Sequence, residues 1–451
     1  MKTFIAILSF GLCSLASSAT AQNSFSQGKI AEESHPWSLK QCIEYALEHN
    51  ISIKQYQKSV ENSEIQLSTA RNARLPNLNA SAHQSFSFGR GLTADNTYTN
   101  RSTQSTGFDL NTSIPIITGG QIPNNIAARK IDLQAALADL DKAREDISLQ
   151  VTSQYLDCLY QKEIMEVAER QCELSKNQLQ RIQLLFDNGK KSEADLAEAR
   201  STVANDELTL TRAINSYDIA ILTLSQLLEL ESPQGFSVQK PAEASSALSA
   251  LNEAPSTDGL EYSTRPSIIA QQYRLKSAEK NVNVAKSGYY PTLSIGAGLG
   301  SSYYKTSGMP GDTFGTQLKN NFNQSIGLSL SIPIFNRFNT RNSVHQARVA
   351  VENQRLILEN TRKTLYKEMQ QAYYNAVAAQ KQYQSSQTAC DAASASFILM
   401  QKKYENGKAN STEFEEQKTR YMKAQADHLQ AKYTYIFRQK ILNFYRGEPL
   451  Y

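Results

Sequence analysis

Four stretches of the chain alternate apolar with small polar residues. In the first, Leu78, Ala80, Ala82, Phe86 and Phe88 take turns with Asn77, Asn79, Ser81, His83, Ser85 and Ser87, with Gln84 as the one polar break in the apolar face. In the second, Phe108, Leu110 and Ile114 alternate with Gly107, Asp109, Asn111 and Ser113. The third carries Leu293, Ile295, Ala297 and Leu299, and the fourth Ile326, Leu328, Leu330 and Ile332. A period of two with one apolar face predicts β-strands that meet an apolar medium on one side only. The other face holds Ser, Gly and Asn rather than Lys and Glu. Small polar groups suit a crowded, water-filled lumen, and Phe86, Phe88, Tyr303 and Tyr304 suit a membrane interface. At about 10–14 residues each strand is long enough to cross a bilayer when tilted. The Gly-, Asn-, Thr- and Ser-rich tips, Gly89–Ser105 and Ser301–Asn321, read as long external loops.

After each strand pair the period changes. From Gly120 to Asn188 there is no proline after Pro123 and no internal glycine, and Asn339 to Asn406 is free of both. Each run predicts one helix of about 100 Å at 1.5 Å per residue. Leu133, Leu137, Leu140, Ile147 and Val151 recur at spacings near those of a coiled coil. Asn188-Gly189 and Asn406-Gly407 fit left-handed C-terminal caps, and new helices are expected from Ser192 and from about Ser411. Ser192 and Asp195 have the spacing of a capping box. Both helical hairpins therefore point away from the strands.

The chain is written twice. Pro76 matches Pro291 at an offset of 215 residues, whereas Ser113–Ile116 matches Ser331–Ile334 at 218, as does Phe186–Lys190 with Tyr404–Lys408. The change in length falls inside the strand pair, at a predicted loop. The reading is a signal peptide over 1–21, an extension over 22–36 and a first repeat over 37–231, with its strand hairpin at 77–117 and turn at 187–191. An inter-repeat segment at 232–264 holds Pro233, Pro241 and Pro255, and a second repeat at 265–448 has its hairpin at 292–335 and turn at 405–410. The fold class is mainly α with a small β part. One chain supplies four strands, and four cannot close a barrel. Open edges cannot face lipid. Two chains would give eight strands with a filled interior, three would give twelve around a channel.

Lys2, the apolar run Phe4–Leu15 and Ala19-Thr20-Ala21 form a secretory signal, with Gln22 the expected first mature residue. Beyond it no run of eighteen apolar residues occurs, so a membrane crossing must use a β-barrel. The formal net charge of +4 gives no basic footprint for nucleic acid. Cys42, Cys158, Cys172 and Cys390 form no C-x-x-C pair and read as free, packed thiols. The histidines (His35, His49, His83, His345, His428) are scattered, and no catalytic or metal-ligand constellation appears. Gly296–Gly300 lies inside a strand with no following helix, so it is not a phosphate loop. No enzyme, cofactor or dedicated metal site is expected.

Ala46-Leu-Glu-His-Asn50, Leu75-Pro-Asn-Leu78, Ile114-Pro-Ile-Ile-Thr-Gly-Gly120, Phe186-Asp-Asn-Gly189, Arg265-Pro266-Ser, Tyr290-Pro-Thr-Leu293 and Tyr404-Glu-Asn-Gly407 recur in a fixed order. In that order they resemble the TolC-type outer membrane efflux proteins, from Trp37 to Glu448. The resemblance implies a homotrimer with a twelve-stranded barrel in outer membrane lipid above a twelve-helix periplasmic tunnel. It also implies helical tips docked on a periplasmic adaptor (membrane fusion) protein, and through it an inner-membrane pump. Tyr404 and Asp195 resemble residues that hold neighbouring hairpins closed, and Glu413 and Glu416 resemble an acidic aperture. Where relatives carry a basic residue after the tip glycine, this chain has Ala409, which removes one closed-state salt bridge. Phe186, Asn188, Gly189 and Lys190, with Tyr404, Asn406, Gly407 and Lys408, are the implied docking tips. The expectation is a passive exit duct for efflux or type I secretion. A non-conducting trimeric stalk or adhesin is the alternative, and a soluble periplasmic binding protein is the third reading.

Overall fold

The computed structural model describes residues 36–92, 96–240, 264–448 and 450. The signal sequence, nearly all of the extension and most of the inter-repeat segment lie outside the described residues. The first copy runs α1 (Leu39–His49), α2 (Ile51–Asn72), β1 (Asn77–Leu92), β2 (Tyr98–Thr118), α3 (Gln121–Asp187) and α4 (Glu193–Leu227). The second runs α5 (Pro266–Lys286), β3 (Thr292–Thr306), α6 (Phe314–Asn320), β4 (Asn323–Ser331), α7 (Asn339–Glu405) and α8 (Ser411–Tyr445).

The duplication is exact in the two pairs of long helices. α3 and α7 each have 67 residues, and α4 and α8 each have 35. Both long helices stop where an Asn-Gly pair allows the left-handed turn, Gly189 at φ 70° and Gly407 at φ 71°. Lys190 N–H then reaches back to the Leu185 carbonyl, and Lys408 N–H to that of Lys403, both at 2.8 Å. This is the six-to-one bond of a Schellman cap. Within the described residues no helix is long and apolar enough to cross a membrane.

α3 packs on α2, α4 and α5, while α7 packs on α5 and α8. The seam is finer than the leucine spacing predicts. Leu140, Ile147 and Val151 are buried, but so are Ala128, Ala135, Ala138 and Ala143, while Leu137 faces outward. Alanines let the helix axes approach closely. The largest core gathers around Tyr155, with Cys42, Ile43, Ile53, Leu224, Leu228 and Val238. The buried Tyr155 hydroxyl lies 3.0 Å from the Trp37 carbonyl and also meets that of Gln239, tying residues 232–240 of the inter-repeat segment to α3. Trp37 and Val238 form a parallel bridge there. Cys42, Cys158 and Cys172 are buried free thiols and Cys390 is a half-buried one.

The four strands make one antiparallel sheet in the order β1-β2-β3-β4. Asn77 pairs with Ser113 and Thr292 with Ser331, so the two hairpins start in the same register. Beyond that they diverge. In the first copy pairing continues to Leu92 and Tyr98, so the predicted loop Gly89–Ser105 is mostly strand around a short connection. In the second copy the β3–β4 ladder ends at Gly300 and Asn323. There β3 continues alone along β2 to Thr306, and α6 fills much of the expected loop Ser301–Asn321. The second hairpin's last strand also stops at Ser331, short of the expected 335. A short helix satisfies its own backbone, so it ends the hairpin without leaving a ladder open. Gln84, the break in the apolar face, accepts a hydrogen bond from Thr106 on the neighbouring strand. At Pro115 the β2–β3 register shifts by one residue, as expected where proline removes a ladder donor.

Each β2- or β4-to-helix corner bends through two left-handed residues. In the first copy these are Gly119 (φ 58°) and Gly120 (φ 83°); in the second they are Arg337 (φ 56°) and Phe338 (φ 61°). A Cβ on Gly119 would sit 2.7 Å from the Ser287 carbonyl oxygen, so glycine is needed there for space as well as for φ.

Candidate functional site

The site begins at the two capped turns. Asn188–Lys190 and Asn406–Lys408 are exposed, and Phe186 and Tyr404 are half-buried just inside them. Asn188 and Asn406 each donate to the carbonyl four residues back, at 2.6 and 2.7 Å. These side chains are spent on finishing the helices. Phe186 packs on Ile182, Leu196 and Ala199. Its counterpart Tyr404 stacks on Phe414 with ring centroids 4.7 Å apart.

Past the turns, both returning helices open with a reciprocal capping box. Ser192 Oγ accepts from Asp195 N–H while Asp195 accepts from Ser192 N–H and Oγ–H. Lys191 adds an ion pair at 3.0 Å. The Ser192 hydrogen bonds, then Lys191, hold the Asp195 carboxyl down at about 2. In the second copy the capping residue is Asn410, one residue before the Ser411 start expected from the sequence, and its box partner is Glu413. Asp195 and Glu413 are thus equivalent. So are Glu198 and Glu416, three residues on and both exposed. The sequence reading placed the acidic pair mainly in the second copy; the structure gives both copies one. Glu198 was discoverable from the 218-residue offset.

Glu416 pairs with Arg420 at 2.6 Å on its own helix. Glu198 accepts from Ser411 Oγ at 2.9 Å, across the groove between the hairpins. Asp195, Glu198, Tyr404, Ser411 and Phe414 line one cleft. Tyr404 and Asp195 are brought to the same cleft, each with its nearest bond inside its own hairpin.

Deeper in that cleft lies a group the sequence reading missed. Lys418 is buried, and its Nζ donates to Ser175 Oγ of α3 and Asp206 Oδ2 of α4, both at 2.8 Å. It also pairs with Glu415 at 3.3 Å. Ser175 bonds Asp206 in turn, and Gln171 reaches it at 3.5 Å. Burial pushes the Glu415 carboxyl up against the opposing pull of Lys418. Lys418 lies four residues after the buried Phe414, so its place on the inward face was the available signal. Farther up, Glu163 of α3 receives Tyr433 Oη–H at 2.9 Å and pairs with Lys240 and Lys432. Burial would raise its pKa, but the bonds from Lys240 and Tyr433 bring it below the ordinary value. Near the turns Arg181 donates to the Glu405 carbonyl at 2.6 Å. These contacts rivet the α3/α4 hairpin to the α7/α8 hairpin of the same chain. Among the described residues no group of three or more His, Cys, Asp or Glu side chains gathers as a metal site.

The profile of the family described as "Outer membrane efflux protein" matches residues 42–229 and again 261–447, one match for each structural copy. The chain belongs to this family. It is therefore an outer membrane protein of a family devoted to transport rather than catalysis. Cobalt-zinc-cadmium resistance protein CzcC of Cupriavidus metallidurans is 27% identical over 308 residues, 68% of this chain and 65% of CzcC. The chain thus matches just under two thirds of that relative's length. Among solved structures, CusC superposes with a TM-score of 0.74 at 16% identity, covering 93% of this chain and 96% of CusC. The open state of the Neisseria gonorrhoeae outer membrane channel MtrE superposes with a TM-score of 0.71 at 19% identity, covering 96% of each chain. At these identities the superpositions establish the fold.

Proposed function

We propose that the protein is a homotrimeric outer membrane channel, the passive exit duct of a tripartite efflux or type I secretion system. The observation that carries the proposal is the sheet. Its two edge strands, β1 and β4, each have one side without a described partner strand, and one face is strongly apolar and open: Ile326 is 82% exposed, Leu328 72% and Leu78 69%. Such a surface is unstable in water and such edges are unstable in lipid. Three copies joined edge to edge resolve both difficulties and turn the Ser, Gly and Asn face into a lumen. Exposed apolar side chains along the helices, among them Ile65, Ile219, Leu222, Val349 and Leu356, support lateral packing of the same copies.

In this reading the helical hairpins form a periplasmic tunnel whose aperture lies at the tips. Asp195 and Glu198 join Glu413 and Glu416 as acids near that aperture, where threefold symmetry would favour cations. Tyr404 anchors the second tip. The exposed turns around Phe186–Lys190 and Tyr404–Lys408 are the docking surface for a periplasmic adaptor, which links the duct to an inner-membrane pump. Planar-bilayer recording of the purified protein tests the duct: stepwise, cation-preferring currents are expected. A trimer that inserts yet never conducts, even with Glu413 and Glu416 neutralised, would refute it.

A further inference from the structure

The four strands contain a single histidine, His83, and a single carboxylate, Asp109, and these two side chains meet. His83 Nδ1 lies 3.9 Å from Asp109 Oδ2, and both groups are about half exposed. His83 is opposite Gly107 and Ser81 is opposite Asp109, so the pair projects from the polar face of the sheet. The surroundings are cleared for it. A Cβ on Gly107 would fall 2.1 Å from His83 Cε1, so the imidazole lies flat where a side chain would otherwise stand. On the other side, Asp109 is opposite Gly300, whose own partner is Asn323 on β4. The position of a Cβ on Gly300 is 3.2 Å from Asp109 Oδ1 and 3.3 Å from Asn323 Oδ1. An imidazole nitrogen, a carboxylate and an amide oxygen thus line up across β1, β2 and β4, over two bare glycines.

We propose that His83 and Asp109 form a binding point for a divalent transition cation on the lumen face, with Asn323 and water completing the coordination. The placement in a lumen rests on the duct reading; the pairing of donors does not. Metal–nitrogen and metal–oxygen bonds to zinc are each about 2.0–2.2 Å, so donors on one ion stand roughly 3.3–4 Å apart. The observed 3.9 Å needs only a small side-chain rotation. An imidazole with a carboxylate favours zinc, cobalt, nickel or copper over magnesium and calcium, which prefer oxygen alone. One imidazole, one carboxylate and a neutral amide oxygen give a weak, fast-exchanging site, suited to an ion in passage rather than a resident one.

The test uses the full-length protein, His83→Ala and Asp109→Asn. In planar bilayers, Zn(II) is expected to depress the wild-type current reversibly while Mg(II) at the same concentration does not. In either variant the half-blocking Zn(II) concentration should rise by at least about tenfold, the loss that even an outer-shell partner of a metal brings. A wild-type current indifferent to Zn(II), or block in both variants as strong as in the wild type, overturns the proposal. If the metal-free protein carries no current, the duct reading fails instead. Cu(II) electron paramagnetic resonance on the same preparations then decides: a nitrogen hyperfine pattern lost in His83→Ala supports the site, and one unchanged in it refutes it.

Discussion

Asn50 and Arg265 hold the same joint in the two copies. Each is the residue before a helix, α2 or α5, and each donates to a carbonyl in the last turn of the 35-residue helix of its own copy, α4 or α8. Asn50 Nδ2 meets the Leu227 carbonyl at 3.0 Å, and Arg265 Nη2 meets that of Phe444 at 2.6 Å. The short helices are thereby stacked end to end alongside α3 and α7. Asn50 also caps its own helix through Ser52 N–H. Arg265 instead pairs with Glu145 and lies over the Phe444 ring. Asn50→Ala removes a cap and leaves a half-buried carbonyl unmet, so it should cost about 1–2 kcal/mol in denaturant unfolding of the protein.

The riveted hairpins make a second prediction. Lys418→Met leaves Asp206 with its charge in a largely buried site, at a cost of roughly 3–5 kcal/mol. Adding Asp206→Leu removes the orphaned charge and should restore most of that loss. A double-mutant cycle read by denaturant midpoints checks it; additive losses would show that the two residues do not act as a pair.

The two corners predict opposite responses to similar changes. Arg337→Gly should stabilise the protein by about 1 kcal/mol, because it relieves a left-handed side-chain-bearing residue. Gly119→Ala adds both φ strain and a collision with the Ser287 backbone, so it should lower the yield of folded protein sharply. Thermal dissociation of the two variants, side by side, gives the comparison.

Asp195 sets a pH dependence at the tip. Its folded carboxyl is held at about 2, below the ordinary aspartate value of 3.8. The cap therefore contributes fully above about 3.8 and is lost as pH falls through about 2. Amide exchange at Ser192 and Asp195 should stay slow down to that range. In Asp195→Ala it should be fast throughout.

If the acidic pair belongs to both copies, Glu198→Gln and Glu416→Gln should each lower the cation preference of the channel by a similar factor. Reversal potentials in a salt gradient measure this. An effect confined to Glu416 would return the aperture to the second copy alone.

Much of this was legible in the sequence because it follows from local rules. The helix ends at Gly189 and Gly407 and the strand faces of β1–β4 depend on residues close in the chain. What was hidden depends on distance. The Gly89–Ser105 tip has loop composition, yet β1 runs to Leu92 and β2 starts at Tyr98, because the two strands pair with each other out to those ends. Lys418 reads as an ordinary surface lysine until α3 and α4 bring Ser175 and Asp206 to it. Glu198 was masked by a different cause: Asn410 caps α8 where Ser192 caps α4, so the two capping boxes differ in residue type and only the 218-residue offset aligns their acids.

A trimeric duct requires three chains to share one barrel through their β1 and β4 edges. Cysteine cross-linking across those edges tests it most directly. In a chain whose four mature cysteines are replaced, single cysteines on β1 around Ser81 are paired with cysteines on β4 around Gly327, and outer membranes are oxidised in place. Three linked chains of 50.2 kDa or slightly less each, and no larger ladder, are expected at one register of the panel. Monomers alone at every register, or linkage that stops at two chains, would contradict the shared barrel.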